Sequence, residues 1–244
     1  MVRNIKLTLQ YDGSLFYGWQ MQNNKRTVEG ELSKAINKIL GRETRLVVAG
    51  RTDSGVHANG QVVNFLTVTD IDPASLYHHI NTKIPDDIKV IKSEEVDLSF
   101  NSRFDAKKKR YIYKLINKKS LHPIERKYYG FSSYDLNLDN MIEASKYLLG
   151  RKDFKSFVKY SEGLNTVREI DDFKIEKRAC EIVFQVEAMS FMRNQVRIMV
   201  GTLLDVGRGK FKPEDMKRIL DLKDRSSAGI TAEANGLYLD RIIY

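Results

Sequence analysis

Leu46-Val47-Val48-Ala49-Gly50-Arg51-Thr52-Asp53-Ser54-Gly55-Val56-His57-Ala58, followed by the apolar run Val62-Val63-Asn64-Phe65, decides how this chain is read. Two short apolar runs flank a polar, glycine-bracketed segment, which predicts a loop over Ala49–Ala58 between two strands. Gly50 and Gly55 let the backbone turn tightly around Arg51-Thr52-Asp53 and present a guanidinium and a carboxylate side by side. Asp beside Gly is also ordinary turn vocabulary, so taken alone the segment predicts a turn and permits a site.

Outward from this loop, Ile5, Leu7, Leu9 and Tyr11 alternate with polar residues and predict a half-buried first strand that ends at Asp12-Gly13-Ser14. The segment up to Arg26 is polar and glycine-containing yet carries Phe16, Tyr17 and Trp19, so it reads as a loop with exposed or docking aromatics. Thr27 caps a predicted helix whose apolar positions Val28, Leu32, Ala35, Ile36, Ile39 and Leu40 follow helical spacing up to Gly41. Asp72-Pro73 predicts a second helix start, with Asp72 as the cap and a stop before Pro85. Ile88 to Val96 reads as a strand.

A domain boundary is placed near Ala106, dividing the chain into 1–106 and 107–244, where strand signals give way to a basic block. Lys109 to Leu115 alternates, with Tyr111, Tyr113 and Leu115 on one face, the pattern of core aromatics on a strand. Leu138 to Leu149 reads as a helix with Asn137 as its cap and Gly150 as its close. Val167–Lys177 and Cys180–Ala188 read as a hairpin around Arg178-Ala179, with Cys180 a small buried hydrophobe opening the second strand. Ser190 to Val206 reads as a helix with Val196, Met199, Val200 and Leu203 as its apolar stripe and Arg193 and Arg197 at its edge. An arginine there either snorkels to solvent or, if its head is buried, needs a carboxylate. Gly207-Arg208-Gly209-Lys210 lacks the spacing of a nucleotide-binding loop and reads as a turn. Strands and helices in mixed order, without βαβα alternation, predict an α+β fold with mainly antiparallel sheet.

The chain has 244 residues, 42% hydrophobic and 30% charged, the balance of an ordinary soluble protein. No apolar run approaches the roughly 20 residues of a membrane span, and the N-terminus has no signal-like apolar core, so no membrane partner and a cytoplasmic location are expected. The single cysteine and four histidines offer neither an internal disulfide nor a zinc-ligand spacing, so no metal site is expected. The net charge is +9, and residues 101–130 hold ten Lys/Arg against two acidic residues, nearly the whole excess. Phe104, Tyr111, Tyr113, Tyr128 and Tyr129 interleave with that block, a mixture of phosphate contacts and stacking surfaces suited to RNA. Lys108 and Arg110 are its candidate phosphate contacts.

Gly50-Arg51-Thr52-Asp53-Ser54-Gly55-Val56-His57 resembles the catalytic signature of the tRNA pseudouridine synthase A family, Gly-Arg-Thr-Asp-Ala-Gly-Val-His, from which only Ser54 departs. Tyr11-Asp12-Gly13 and Gly18-Trp19-Gln20 resemble further family signatures, on a loop that the resemblance implies is a mobile finger touching RNA. Asn81 to Ile88, Arg103-Phe104 with Arg110-Tyr111-Ile112-Tyr113, and Phe191 through Val196-Arg197 are similar to others. Phe100-Asn101-Ser102-Arg103 departs from the family's Phe-His-Ala-Arg. Ala232-Glu233-Ala234-Asn235-Gly236-Leu237 matches its Ala-Pro-Ala-x-Gly-Leu except for Glu233 in place of proline.

The resemblance implies two related ferredoxin-like subdomains, with mainly antiparallel sheets joined around a basic RNA-binding cleft, and a homodimer gripping tRNA. It implies isomerisation of uridine to pseudouridine at positions 38 to 40 of the anticodon stem-loop. Asp53 would be the catalytic nucleophile, Tyr111 would stack on the target uridine, Arg197 would pair with Asp53, and Leu237 would line the uracil pocket. Arg51 with Tyr111 would fill and cover the place of the extruded base. The reaction moves one bond without oxidation or group transfer and implies no cofactor. An aspartate suits it, being ionised at neutral pH without a helper base. Two other classes stay open on residues alone: a non-catalytic RNA-binding module, which has no use for an Asp–Arg pair, and a metal-dependent nuclease, which magnesium dependence would reveal.

Overall fold

The computed structural model describes residues 1–159 and 162–244. Its elements in chain order are β1 (Arg3–Tyr11), α1 (Val28–Leu40), β2 (Val47–Val48), β3 (His57–Thr67), α2 (Leu76–Asn81), β4 (Ile88–Val96), β5 (Lys108–Asn117), β6 (Gly130–Ser132), α3 (Leu138–Lys146), β7 (Gly150–Asp153), β8 (Val167–Arg178), β9 (Glu181–Ala188), α4 (Gln195–Gly207), α5 (Asp215–Leu222) and β10 (Leu237–Ile243). The fold is α+β, its strands paired almost entirely antiparallel. The chain divides into two compact units, Met1–Lys107 together with Leu239–Tyr244, and Lys108–Tyr238.

In the first unit β1 lies between β4 and β3, antiparallel to both, and the C-terminal part of β10 continues the sheet beyond β3. The period-2 pattern buries Ile5, Leu7 and Leu9 completely. Helix α1 adds Val28, Leu32, Ala35 and Ile36 to the same core. The Thr27 hydroxyl accepts the Gly30 amide N–H at 3.2 Å, and Gly41 ends the helix at φ 67°. The second helix differs from expectation. Asp72 starts a turn, its side chain accepting the Ala74 N–H and its carbonyl the Ser75 and Leu76 N–H, and regular helix begins only at Leu76. Phe16 and Trp19 are buried in this unit, at 2% and 1% exposure, while Tyr17 is half exposed.

In the second unit the order is β5-β9-β8-β7, all antiparallel, with β6 parallel on β5. Tyr113 on β5 faces Phe184 on β9, ring centroids 6.2 Å apart and nearly edge-on. Such a pair adds about 0.5–1.5 kcal/mol beyond its buried area. Helix α3 is capped by Asn137 as expected but stops at Lys146, and residues 147–149 tighten into i→i−3 turns before Gly150 opens β7. Cys180 is exposed in the β8–β9 turn rather than buried in β9, because Ala179 at φ 52° makes the reversal there and the strand starts at Glu181. Helix α4 begins at Gln195, not Ser190, since Asn194 sits at φ 62° and cannot extend a right-handed helix backwards. The turn after α4 serves a buried carboxylate: Asp205, 1% exposed, holds Arg208 at 2.8 Å and Lys210 at 2.9 Å.

Candidate active site

The loop carrying Asp53 is held by its backbone from the segment that follows β1. Trp19 N–H donates to the Thr52 carbonyl at 3.1 Å, Gly55 N–H to the Phe16 carbonyl at 3.2 Å, and Ser54 Oγ–H to that same carbonyl at 3.2 Å. From β1 and β3, the Tyr11 hydroxyl lies 2.8 Å from Thr52 Oγ1, and Gln61 Nε2 donates to the Gly50 carbonyl at 2.7 Å. Val56 N–H closes the turn on the Asp53 carbonyl at 3.2 Å. Burial pushes the Tyr11 hydroxyl up to about 12 against the opposing hydrogen bonds to Thr52 and Gln61, so it stays neutral while it supports the loop. Gly13 and Gly18 make the fit possible. A Cβ on Gly13 would collide with the Val56 carbonyl, and one on Gly18, at φ 84°, would lie 2.7 Å from the Thr52 oxygen. The result is a rigid backbone with Asp53 half-buried and Arg51 exposed, the latter donating from Nη1 to Gln20 Oε1 at 2.6 Å. His57 is buried and accepts the Gly13 N–H on Nδ1 at 3.1 Å, a bond that ties the two segments together.

In the second unit the residues singled out from three separate motifs share one neighbourhood. Tyr111, 8% exposed on β5, meets the ring of Phe191 edge-on at 5.3 Å. Arg197, in the first turn of α4, donates from Nε to the Ala232 carbonyl at 2.7 Å and from Nη1 to Asn194 Oδ1 at 3.1 Å, while the Ala232 N–H returns to the Arg197 carbonyl at 3.1 Å. Two fixed bonds orient a planar guanidinium and thus the direction of its remaining donors. The first turn of α4 is set by Gln195, whose Oε1 accepts the Met192 N–H at 2.9 Å. The segment after Ala228 lies against the helix backbone itself: a Cβ on Gly201 would strike the Ile230 carbonyl, and Gly229 N–H donates to Thr202 Oγ1 at 2.9 Å. Leu237 closes that segment and is buried at 5% exposure. Glu233 has φ −60° and ψ 148°, the extended conformation proline would take, so replacing proline leaves this backbone path unchanged.

The basic block is less uniform than its sequence. Arg110 is engaged by Glu187 directly across the β5–β9 ladder, from Nε at 2.6 Å and Nη2 at 2.5 Å. Lys108 Nζ stands 3.4 Å from Asp171, and Lys118 2.7 Å from Glu125. Phe104 is exposed with Arg103 stacked over it at 5.2 Å, whereas Tyr113 is fully buried. Among the described residues no group of three or more His, Cys, Asp or Glu could hold a metal ion, and no helix is long and apolar enough to cross a membrane.

A family model described as "tRNA pseudouridine synthase" matches residues 8–105 and 144–244. Over all 244 residues the chain is 47% identical to a protein named tRNA pseudouridine synthase A from Finegoldia magna, covering 100% of both chains. The chain belongs to the tRNA pseudouridine synthase A family. A second member, from Thermoanaerobacter sp. strain X514, is 45% identical over 244 residues, again with 100% of both covered. Among solved structures, a Cbf5-Nop10-Gar1 complex aligns at TM-score 0.40 and 12% identity over 96% of this chain and 57% of that one, and adds nothing to the fold described above. Membership makes the chain an isomerase, a pseudouridine synthase.

For a member of this family, the supporting residues were the ones hardest to find in sequence. Gln61 and Thr52 carry much of the hold on the Asp53 loop, yet no pattern distinguishes a buried Gln on a strand from a solvated one. The Ala232 carbonyl that orients Arg197 is a backbone group and leaves no mark on residue type.

Proposed function

We propose that this pseudouridine synthase acts on tRNA at uridines 38 to 40 of the anticodon stem-loop, with Asp53 as nucleophile and without a cofactor. The observation that carries the reading is the Asp53 loop: its backbone is fixed from β1, β3 and the 13–20 segment while the carboxylate stays half-buried. A nucleophile held this way is pre-oriented before substrate arrives. The bond from ribose C1′ to uracil N1 breaks, the ring turns over, and C5 bonds to C1′. C5 gives up its proton and N1 gains one, so atoms and electrons balance with no oxidant.

Arg197 is the cation that pairs with the Asp53 carboxylate, a role supported by the fixed orientation of its guanidinium. Tyr111 stacks on the extruded uridine, Leu237 packs against its ring, and Arg51, exposed on the loop, occupies the vacated stack. Lys108 and Arg110 contact phosphates, Arg110 while also engaged by Glu187. The same reading takes the two units as ferredoxin-like relatives forming a basic RNA-binding cleft, the active form as a homodimer, and the location as cytoplasmic.

The test incubates purified protein with tRNA lacking the modification, without added metal, and maps pseudouridine by position. Product at 38 to 40 from the parent and none from Asp53→Asn is expected, with tRNA binding preserved because affinity rests on phosphate contacts. Arg197→Ala is expected to impair turnover and to be non-additive with Asp53→Asn. Pseudouridine yield from Asp53→Asn equal to the parent refutes the mechanism.

A further inference from the structure

Arg26 ends the segment that follows β1, and it holds that segment through contacts the proposed reaction does not use. Its carbonyl accepts the Tyr17 N–H at 2.9 Å, and its guanidinium lies over the ring of the buried Phe16, with Cζ 4.2 Å from the ring centroid. The same guanidinium forks onto Asp87, Nη1 donating to Oδ2 at 2.7 Å and Nη2 to Oδ1 at 2.8 Å. Asp87 is itself tied to the end of β1, since its carbonyl accepts the Asp12 N–H at 3.0 Å and Tyr11 faces Ile88 in the β1–β4 ladder. Phe16 is the residue whose carbonyl takes both the Gly55 N–H and the Ser54 hydroxyl, from the two residues that directly follow Asp53. As a bare ion pair the Arg26–Asp87 contact is weak, its side chains being 34% and 22% exposed. Its geometry is specific, because a fork with both bonds made to one carboxylate leaves the guanidinium a single plane, and that plane rests on Phe16.

We propose that Arg26 is a positioning residue for Asp53: gripped by Asp87 at the edge of the sheet, it holds Phe16 in place, and the Phe16 carbonyl sets the turn that follows the nucleophile. The Asp53 loop is then located by two routes, one ahead of Asp53 through the Tyr11 hydroxyl, 2.8 Å from Thr52 Oγ1, and one behind it through Arg26 and Phe16. All of these residues belong to the first unit. A lysine at position 26 would keep the charge but offer neither the second bond to Asp87 nor a flat face to the ring, so Phe16 would rock and its carbonyl would move with it. The inference rests on the proposed role of Asp53 and adds a cause for the place of its carboxylate.

Two substitutions undo the clamp from opposite ends: Arg26→Lys removes the fork, and Asp87→Asn removes the charge it grips while keeping the shape. Each is expected to lower the single-turnover rate of pseudouridine formation about tenfold, the effect of a shift of roughly half an ångström at the nucleophile, with tRNA affinity unchanged. Each is also expected to speed hydrogen exchange of the Gly55 amide about fivefold, the weight of one weakened hydrogen bond. The double variant is expected to be no slower than the slower single one, because both remove one contact. An arginine that only stabilised the fold would lower the melting temperature and leave the Gly55 amide as protected as its neighbours. Parent-like rates and parent-like Gly55 exchange in Arg26→Lys overturn the inference. So does weaker tRNA binding with a flatter salt dependence in Arg26→Gln, which would make Arg26 a phosphate contact. If Arg26→Lys does not fold, Asp87→Asn decides by the same rate and exchange measurements. Gly55 exchange can also be read in an Asp53→Asn background, where no turnover is needed. Parent-like pseudouridine yield from Asp53→Asn would defeat the reading of Asp53, and unchanged Gly55 exchange the reading of Arg26, so the two failures are distinguishable.

Discussion

Gly18→Ala adds one methyl group that touches only the backbone of the Asp53 loop, and the geometry predicts a large effect on turnover. The new Cβ would lie 2.7 Å from the Thr52 carbonyl oxygen and 3.1 Å from the Asp53 carbonyl carbon, both backbone atoms, so no side chain can rotate away. Real Cβ atoms do not approach within 3.0 Å, and ordinary contact begins near 3.4 Å, so the two segments must part by about 0.3 to 0.7 Å. The Trp19 N–H donates to that same Thr52 carbonyl oxygen at 3.1 Å, so parting the segments strains this bond as well. Positive φ for alanine costs a further ~1–2 kcal/mol. A misplacement of about 1 Å at a catalytic group costs roughly 100-fold in rate, so half that distance at Asp53 corresponds to about tenfold. The assay is single-turnover pseudouridine formation at saturating enzyme, beside tRNA binding by filter retention and thermal melting. Expected are a rate about tenfold lower, unchanged tRNA affinity and a melting temperature lower by roughly 2–8 °C. A rate within twofold of the parent would show that the grip of the 13–20 segment on the loop does not set the position of Asp53.

Three further outcomes are expected. Tyr111→Phe keeps the ring against Phe191 and so the stacking face, but removes the hydroxyl that the same reading has act on the flipped base or its sugar, so tRNA should bind normally while turnover falls by about 100-fold or more; equal loss of both with a lower melting temperature marks a core aromatic instead. Lys108→Ala should flatten the log–log dependence of tRNA affinity on salt by about one unit, whereas an unchanged slope assigns Lys108 to its pair with Asp171. Tyr11 is held neutral by burial up to about 12, above its ordinary value near 10, so the unfolded state ionises first. Stability from this group is full below pH ~10 and is lost as pH rises toward 12, and Tyr11→Phe should flatten that alkaline limb in a denaturation series while slowing turnover through the lost Thr52 bond.

What could be read from the sequence was what repeats along the chain. The alternation of Ile5, Leu7, Leu9 and Tyr11 located β1, and Thr27 with Gly41 located both ends of α1, because caps and periodicity are properties of residue type at fixed spacing. Two of the failures share one cause. Asn194 and Ala179 adopt left-handed φ, and neither is glycine, so the late start of α4 and the place of Cys180 in the β8–β9 turn rather than in β9 left no signal. Asp72-Pro73 has the composition of a helix start, but the Asp72 side chain satisfied the Ala74 N–H in a turn, which the same residues allow equally well. At the site, the loop around Asp53 and the strand carrying Tyr111 were legible from motif and alternation. The hold on Arg197 was not, since it comes from a carbonyl 35 residues away that any residue could supply.

The return of Leu239–Tyr244 to the first unit has a consequence for biosynthesis. Residues 1–107 emerge from the ribosome without the strand that continues their sheet beyond β3, and that strand follows only after the whole of the second unit has been translated. At roughly 5–20 residues per second the wait is on the order of ten seconds, during which β3 presents an open edge to other nascent chains. A chaperone that shields exposed strands, or early folding of the second unit, would be most valuable to this chain during that interval.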